Sequence, residues 1–312
     1  MSNVVSLFIE AMRGAGIHPL EPIGDQLASG KPVRFRADGD KPGRRNGWAL
    51  LHLDAIPAGV FRHYRLGIRQ TWRAGSDAHL LPPAERHAIW VKAREVEAKR
   101  RAETKAKHEA AAVEALALWK AAKSANPIHG YLNRKGLTPF GIRQDRGCLL
   151  VPMLDPAFRL WNVQRVSPGG SKRFLSGGRT SGLFWPHAAH LASGEPSKGP
   201  LLIGEGYSTL AAIHEATGHG VVAAMSAGNL ETVAKAMRGL FPERQIILAA
   251  DDDRHLAENT GLSAARKAAE TISGLLAVPL PETSLISSGT DFADIDRNAI
   301  ADRLAAAEPV EA

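Results

Sequence analysis

The sequence predicts an α/β protein. A parallel sheet flanked by helices is preceded by a basic α+β subdomain and by a small antiparallel, β-rich N-terminal domain. Three observations carry this reading. Residues 201–253 alternate short apolar runs with helical stretches in the order β-α-β-α-β, the pattern of a parallel sheet with right-handed crossovers. The outer two runs, Leu-Leu-Ile-Gly-Glu-Gly-Tyr (201–207) and Gln-Ile-Ile-Leu-Ala-Ala-Asp-Asp-Asp (245–253), stop at carboxylates, as buried strands with acidic tips do. Residues 30–72 instead read as short alternating strands broken by turns.

Length and composition bound the rest. At 312 residues there is room for two or three domains, and 44% hydrophobic with 23% charged residues is ordinary for a soluble globular protein. A net charge of +7 favours a polyanionic partner. The one cysteine, Cys148, excludes a disulfide scaffold and a Cys-based zinc ribbon; followed by Leu-Leu-Val-Pro, it reads as a buried small hydrophobe. No apolar run has the length of a membrane span and no signal-peptide pattern opens the chain, so the expected compartment is the cytoplasm, with no membrane partner.

In chain order, five segments are expected. Residues 1–81 form a basic, β-rich nucleic-acid-binding domain. Its opening helix shares Val4, Val5, Phe8, Ile9 and Met12 on one face, and strands follow at 32–36, 47–53, 58–65 and 68–72. Arg34, Arg36, Arg44, Arg45, Arg62, Arg65 and Arg69 are interleaved with Phe35, Trp48, Phe61, Tyr64 and Trp72. Most of these aromatics are assigned to the small core; the arginines are the candidates for contact with single-stranded nucleic acid, with Arg34, Arg36, Arg44, Arg45 and Arg65 foremost. Residues 82–125 are a charged helical linker, with ten Lys/Arg against six Glu and almost no large apolar residue between 93 and 112. Residues 126–196 form a basic subdomain: a strand pair at 147–155 and 160–166 across an Asp turn, then a Gly/Lys loop at 169–178 in which glycines let backbone approach phosphate. Residues 197–281 hold the parallel sheet, and 282–312 an acidic motif, Asp291-Phe-Ala-Asp, followed by a helix.

The parallel sheet is where chemistry is expected. In open α/β sheets the ligand site lies beyond the carboxyl ends of the strands, so Glu205 meets Asp251 and Asp253 at one edge. Three such carboxylates repel one another unless a cation neutralises them, and oxygen-only ligation suits Mg²⁺ or Mn²⁺ rather than zinc. Asp252 faces the other way by strand alternation. His187, His190, His214 and His219 are scattered and read as surface histidines.

A strand ending in Glu-Gly, followed two βα units later by one ending in Asp-x-Asp and then by Asn259-Thr-Gly-Leu-Ser, resembles the Toprim domain. One position departs from the common Toprim pattern: four residues after the Glu, where an acid often stands, this chain has Thr209. With the basic block directly before it, and the Trp119…Tyr131-Leu-Asn-Arg-Lys-Gly-Leu junction, the whole chain is similar to the catalytic core of bacterial-type DNA primases, of the kind found in plasmids, integrative elements and phages. The resemblance implies primer synthesis from ribonucleoside triphosphates on a single-stranded DNA template. It implies Glu205, Asp251 and Asp253 as metal-binding and catalytic acids, Lys172 and Arg173 with Arg165 and Arg179 as nucleotide or template contacts, and Asp291 and Asp294 as a further acidic signature. No phosphate-binding loop of the Gly-x-x-x-x-Gly-Lys-Ser/Thr type is present, so unwinding is left to a separate replicative helicase. Two rival readings use the same acids: a Toprim-type metal-dependent nuclease, and a non-catalytic DNA-binding accessory protein of replication or recombination.

Overall fold

In the computed structural model the described residues are 2–53, 57–74, 83–187, 199–252, 259–279 and 291–310. They fall into two units, Met1–Glu103 and Thr104–Ala312.

The first unit sets two helices, α1 (Ser2–Gly14) and α2 (Gly24–Ala28), against four antiparallel strands. These are β1 (Val33–Phe35), β2 (Gly47–His52), β3 (Ala58–His63) and β4 (Ile68–Arg73), in the spatial order β1-β2-β3-β4. Strand alternation sends Val33, Phe35, Ala49, Leu51 and Phe61 to one face, where they are buried with Phe8 and Met12 of α1. The helix lies so close that a Cβ at Gly59 would stand 2.5 Å from the Phe8 ring. Phe8 also packs edge-on against Phe61 and Trp72, so these aromatics are core, as expected.

Helix α3 (Pro83–Ala121) begins in the first unit and ends in the second. Its middle is exposed, but Ala111, Ala112 and Ala115 are buried. Arg159 pairs with Glu109 at 2.5 Å, and Arg143 donates to the Trp119 carbonyl at 2.7 Å while lying over that indole. The C-terminal third of this charged helical stretch is therefore packed, because small alanines let the helix approach where longer side chains would hold it off.

The second unit opens with β5 (Lys123–Ser124) and α4 (Gly130–Lys135). Strands β6 (Arg143–Asp145), β7 (Cys148–Leu154), β8 (Leu160–Val166) and β9 (Lys172–Phe174) complete an antiparallel sheet with order β5-β6-β7-β8-β9. The β7–β8 turn is closed by the Asp155 carboxylate, which accepts from the N–H groups of Ala157 and Arg159. Cys148 stands at the start of β7, half-buried rather than buried.

A two-way backbone bridge from Leu154 to Phe184 leads into β10 (Trp185–His187), the edge of a second sheet. There follow β11 (Leu201–Gly204), α5 (Tyr207–Thr217), β12 (Gly220–Ala223), α6 (Leu230–Leu240) and β13 (Ile246–Ala249). Then come α7 (Thr260–Thr271), β14 (Leu275–Ala277), α8 (Arg297–Ala305) and β15 (Glu308–Pro309). The strand order is β10-β12-β11-β13-β14-β15, with the four inner strands parallel and both edges antiparallel. Every residue of β11, β12 and β13 is buried, which is why each reads as a continuous apolar run. Leu202, Val221 and Ile247 pack with α5, α8 and the antiparallel sheet; Ile203, Val222 and Leu248 pack with α6 and α7.

Candidate active site

Strands β11 and β13 are direct neighbours, Gly204 being level with Ala249, so their acidic tips meet without any long-range bend of the chain. Gly204 is needed for this closeness: a Cβ there would stand 2.6 Å from the Leu210 side chain and 2.9 Å from the Ala249 carbonyl. Gly261 has the same role on the other side. A Cβ at that position would lie 2.7 Å from the Asp251 carbonyl, so the first turn of α7 rests directly on the strand end.

Asp251 is the electrostatic centre. Burial, with the charges of Asp291 and Glu205 beside it, pushes its carboxyl up to about 7, against the pull of a Thr209 hydrogen bond and of Lys172. Thr209, which stands where many Toprim sequences have an acid, donates its hydroxyl to Asp251 at 3.3 Å. A neutral donor thus takes the place of a further negative charge. Asp291 is raised as well, chiefly by burial and in part by Asp294; Lys135, the Ala293 N–H and Lys172 oppose the shift. Lys135 of α4 pairs with Asp291 at 3.5 Å and more closely with Asp294, and these partners hold its ammonium above its ordinary value despite burial.

Lys172 belongs to this cluster, and the reason differs from the one read in the sequence. The block 169–178 is not a glycine loop but contains strand β9, so successive side chains face opposite ways. Lys172 acts on both Asp251 and Asp291, lies 5.9 Å from the Tyr131 ring centre, and stands 3.8 Å from where a Cβ at Gly206 would be. Arg173 takes the opposite face, directly across from Arg165, which pairs with Asp145 at 3.6 Å. Arg179 is spent locally, donating to the Ser181 carbonyl and lying over Trp161.

Asp253 lies outside the described residues, as does His190. Asp252 is buried and accepts a 2.7 Å bond from Asn259, whose own carbonyl caps α7 through the Leu262 N–H. His187 and His214 are not isolated surface groups: their rings meet at 4.5 Å, packed with Phe140 and Trp185. Tyr207 is buried, with its hydroxyl accepting from the Phe140 N–H at 3.3 Å. In the first unit Arg45 pairs with Glu21 and Arg65 with the buried Asp40, Arg36 is half-buried, and Arg34 and Arg44 are exposed.

Lys135 and Thr209 are the members of the site that sequence reasoning did not assign to it. The signal for Lys135 was the pairing of a basic helix end with the Asp291-Phe-Ala-Asp motif, which only the fold brings together.

Among the described residues no three His, Cys, Asp or Glu side chains form a ready-made metal cage. What the site offers a cation is an oxygen-only set, Glu205, Asp251 and Asp291, with the Asp251 carboxyl raised chiefly by burial and further by the charges of Asp291 and Glu205. That set suits a hard divalent ion that keeps several waters or takes phosphate oxygens for the rest of its shell.

The Toprim domain family is matched over residues 200–302. Two proteins of Escherichia coli, each named DNA primase TraC, are 33% and 34% identical to this chain over 284 and 286 residues. Each alignment covers 88% of this chain but only 26% and 19% of the relative, so the chain spans about a quarter or less of those proteins. Among solved structures, a DnaG primase catalytic domain bound to ssDNA has a TM-score of 0.44 at 16% identity, covering 67% of this chain and 81% of that one. No helix among the described residues is long and apolar enough to cross a membrane.

Proposed function

We propose that this chain, which carries a Toprim domain, is a DNA primase core that joins ribonucleoside triphosphates into short RNA primers on single-stranded DNA. The observation that carries this is the meeting of half-buried Glu205 and Asp251, which follow the adjacent parallel strands β11 and β13, with Asp291 from the segment before α8 and with Lys172. The Asp251 carboxyl is raised to about 7, chiefly by burial, even with Lys172 acting on it.

Glu205, Asp251 and Asp291, joined by Asp253, would hold Mg²⁺ or Mn²⁺. When bound, such an ion neutralises charge on the transferring and leaving phosphates. Lys172 offers a point charge to the triphosphate next to those acids. Thr209 holds Asp251 in orientation, and Lys135 holds Asp291 and Asp294. Arg173 and Arg165, on the far face of β9 and β8, suit a template backbone passing that side of the sheet. A cytoplasmic setting and a separate helicase go with this reading.

The test is an incubation of single-stranded template, labelled ribonucleotides and Mg²⁺ or Mn²⁺, with products sized on a gel. Short RNA products, lost in Glu205→Gln, are the expected result. A shortened template would instead mean a nuclease, and unchanged template without products an accessory DNA-binding protein; either result overturns the proposal.

A further inference from the structure

Strand register in the first unit sorts its arginines onto one face. Arg34 of β1 is level with Trp48 of β2, Trp48 with Arg62 of β3, and Arg62 with Arg69 of β4. Directly opposed residues of an antiparallel sheet share a face, so Arg34, Trp48, Arg62 and Arg69 form one row across all four strands. It lies on the face away from Phe8 and the core. Tyr64, two residues beyond Arg62, continues that face and is 45% exposed. The Arg62 guanidinium lies 3.9 Å from its ring centre and that of Arg34 4.7 Å.

Three features make this row costly for the protein alone. Arg62 and Arg69 stand directly opposite one another, an arrangement that destabilises a sheet through like-charge repulsion. Among the described residues none of Arg34, Arg62 and Arg69 is paired with a carboxylate, and Arg62 Nε is buried without a hydrogen-bond partner. Residues 31–74 hold ten Lys/Arg against three Asp, so this segment alone accounts for the whole chain's net charge of +7.

We propose that this face of the four-stranded sheet is a binding site for single-stranded nucleic acid, with Arg34, Arg62 and Arg69 taking phosphates and Trp48 stacking with a base. The Tyr64 ring holds two guanidinium planes in order, and such planes also stack on unpaired bases. A duplex keeps its bases stacked inside and would use only the charges. A single strand uses the charges and the half-buried indole together, which is why it is the better fit.

The site is separate from the Toprim acids, and its test needs neither metal nor nucleotide, so failure here leaves the catalytic proposal standing. Binding of a labelled oligothymidylate by the full chain in EDTA is followed by fluorescence anisotropy at several salt concentrations. Arg34→Gln/Arg62→Gln should flatten the slope of log K against log salt by about 1.4, at roughly 0.7 per phosphate contact. The equally charge-reduced control Arg13→Gln/Lys31→Gln, away from this face, should leave the slope unchanged. Trp48→Leu should weaken binding about five- to 150-fold, the span of one base–aromatic stack, at constant slope. Should the double variant lose its melting transition, Arg69→Gln on the exposed edge strand repeats the test with an expected change of about 0.7. An equal slope change in the control, wild-type affinity in Trp48→Leu, or equally tight binding of duplex would overturn the proposal.

Discussion

Replacing Asp251 with Asn removes a charge that the apoprotein holds at a cost. The Asp251 carboxyl is pushed from 3.8 to about 7, close to three pH units. At about 1.36 kcal/mol per unit this corresponds to a ceiling of about 4 kcal/mol. The sign follows from proton binding. Between about pH 4 and 7 the unfolded chain has lost this proton while the folded chain keeps it, so stability falls as pH rises through that window. An Asn at this position carries no charge at any pH and still accepts the Thr209 bond, although its amide needs an acceptor among Glu205 and Asp291. About half the ceiling, ~2 kcal/mol, is therefore expected as net stabilisation at pH 7.5, and none at pH 4. For a unit of this size that is a rise of about 4–8 °C in Tm. Calorimetry of wild type and Asp251→Asn in EDTA from pH 4 to 8 measures it, because other titrating groups cancel in the difference. Added Mg²⁺ should then raise the Tm of wild type and not of the variant. A variant that melts lower at every pH, or an offset that does not change with pH, would refute the placement of a half-buried Asp251 beside Asp291 and Glu205.

Two further outcomes follow from the second unit. Because Lys172 and Arg173 face opposite ways on β9, Lys172→Ala should raise the nucleotide KM severalfold, while Arg173→Ala should leave it and flatten the salt slope of template binding by about 0.7; equal effects from the two would contradict the strand geometry. Asn229 donates to the carbonyls of Ala224 and Leu183 and accepts from the Gly182 N–H, joining the segment before β10 to the parallel sheet. Asn229→Ala strands these buried groups and should cost about 2–4 kcal/mol by urea denaturation, whereas a loss under ~0.5 kcal/mol would mean the segment is held by other contacts.

What the sequence determined on its own is the part of the molecule governed by local pattern. Continuous apolar runs of strand length separated by helical stretches can be satisfied only by a buried parallel sheet. An acid directly after such a run is placed at the strand tip wherever the strand goes. Glu205 and Asp251 were legible for that reason, and so was the amphipathic helix α1. Asp253, predicted on the same grounds, lies outside the described residues. The division of residues 169–178 was not legible. Glycines around Lys-Arg-Phe read as a loop, and only pairing with β8 makes them a strand and sends Lys172 and Arg173 to different faces.

The remaining members of the site depend on contacts that no local pattern encodes. Asp291 reaches Asp251 from beyond β14, Lys135 meets Asp291 and Asp294 from the end of a helix 156 residues earlier, and the Thr209 hydroxyl turns to Asp251 from the first turn of α5. The arginines of the first unit show the same limit in a sheet. Composition made them visible, but which of them share a face with Trp48 is set by register, and a shift of one residue would send the whole row into the core. Side-chain period is a property of the chain; register and tertiary packing decide which charges meet.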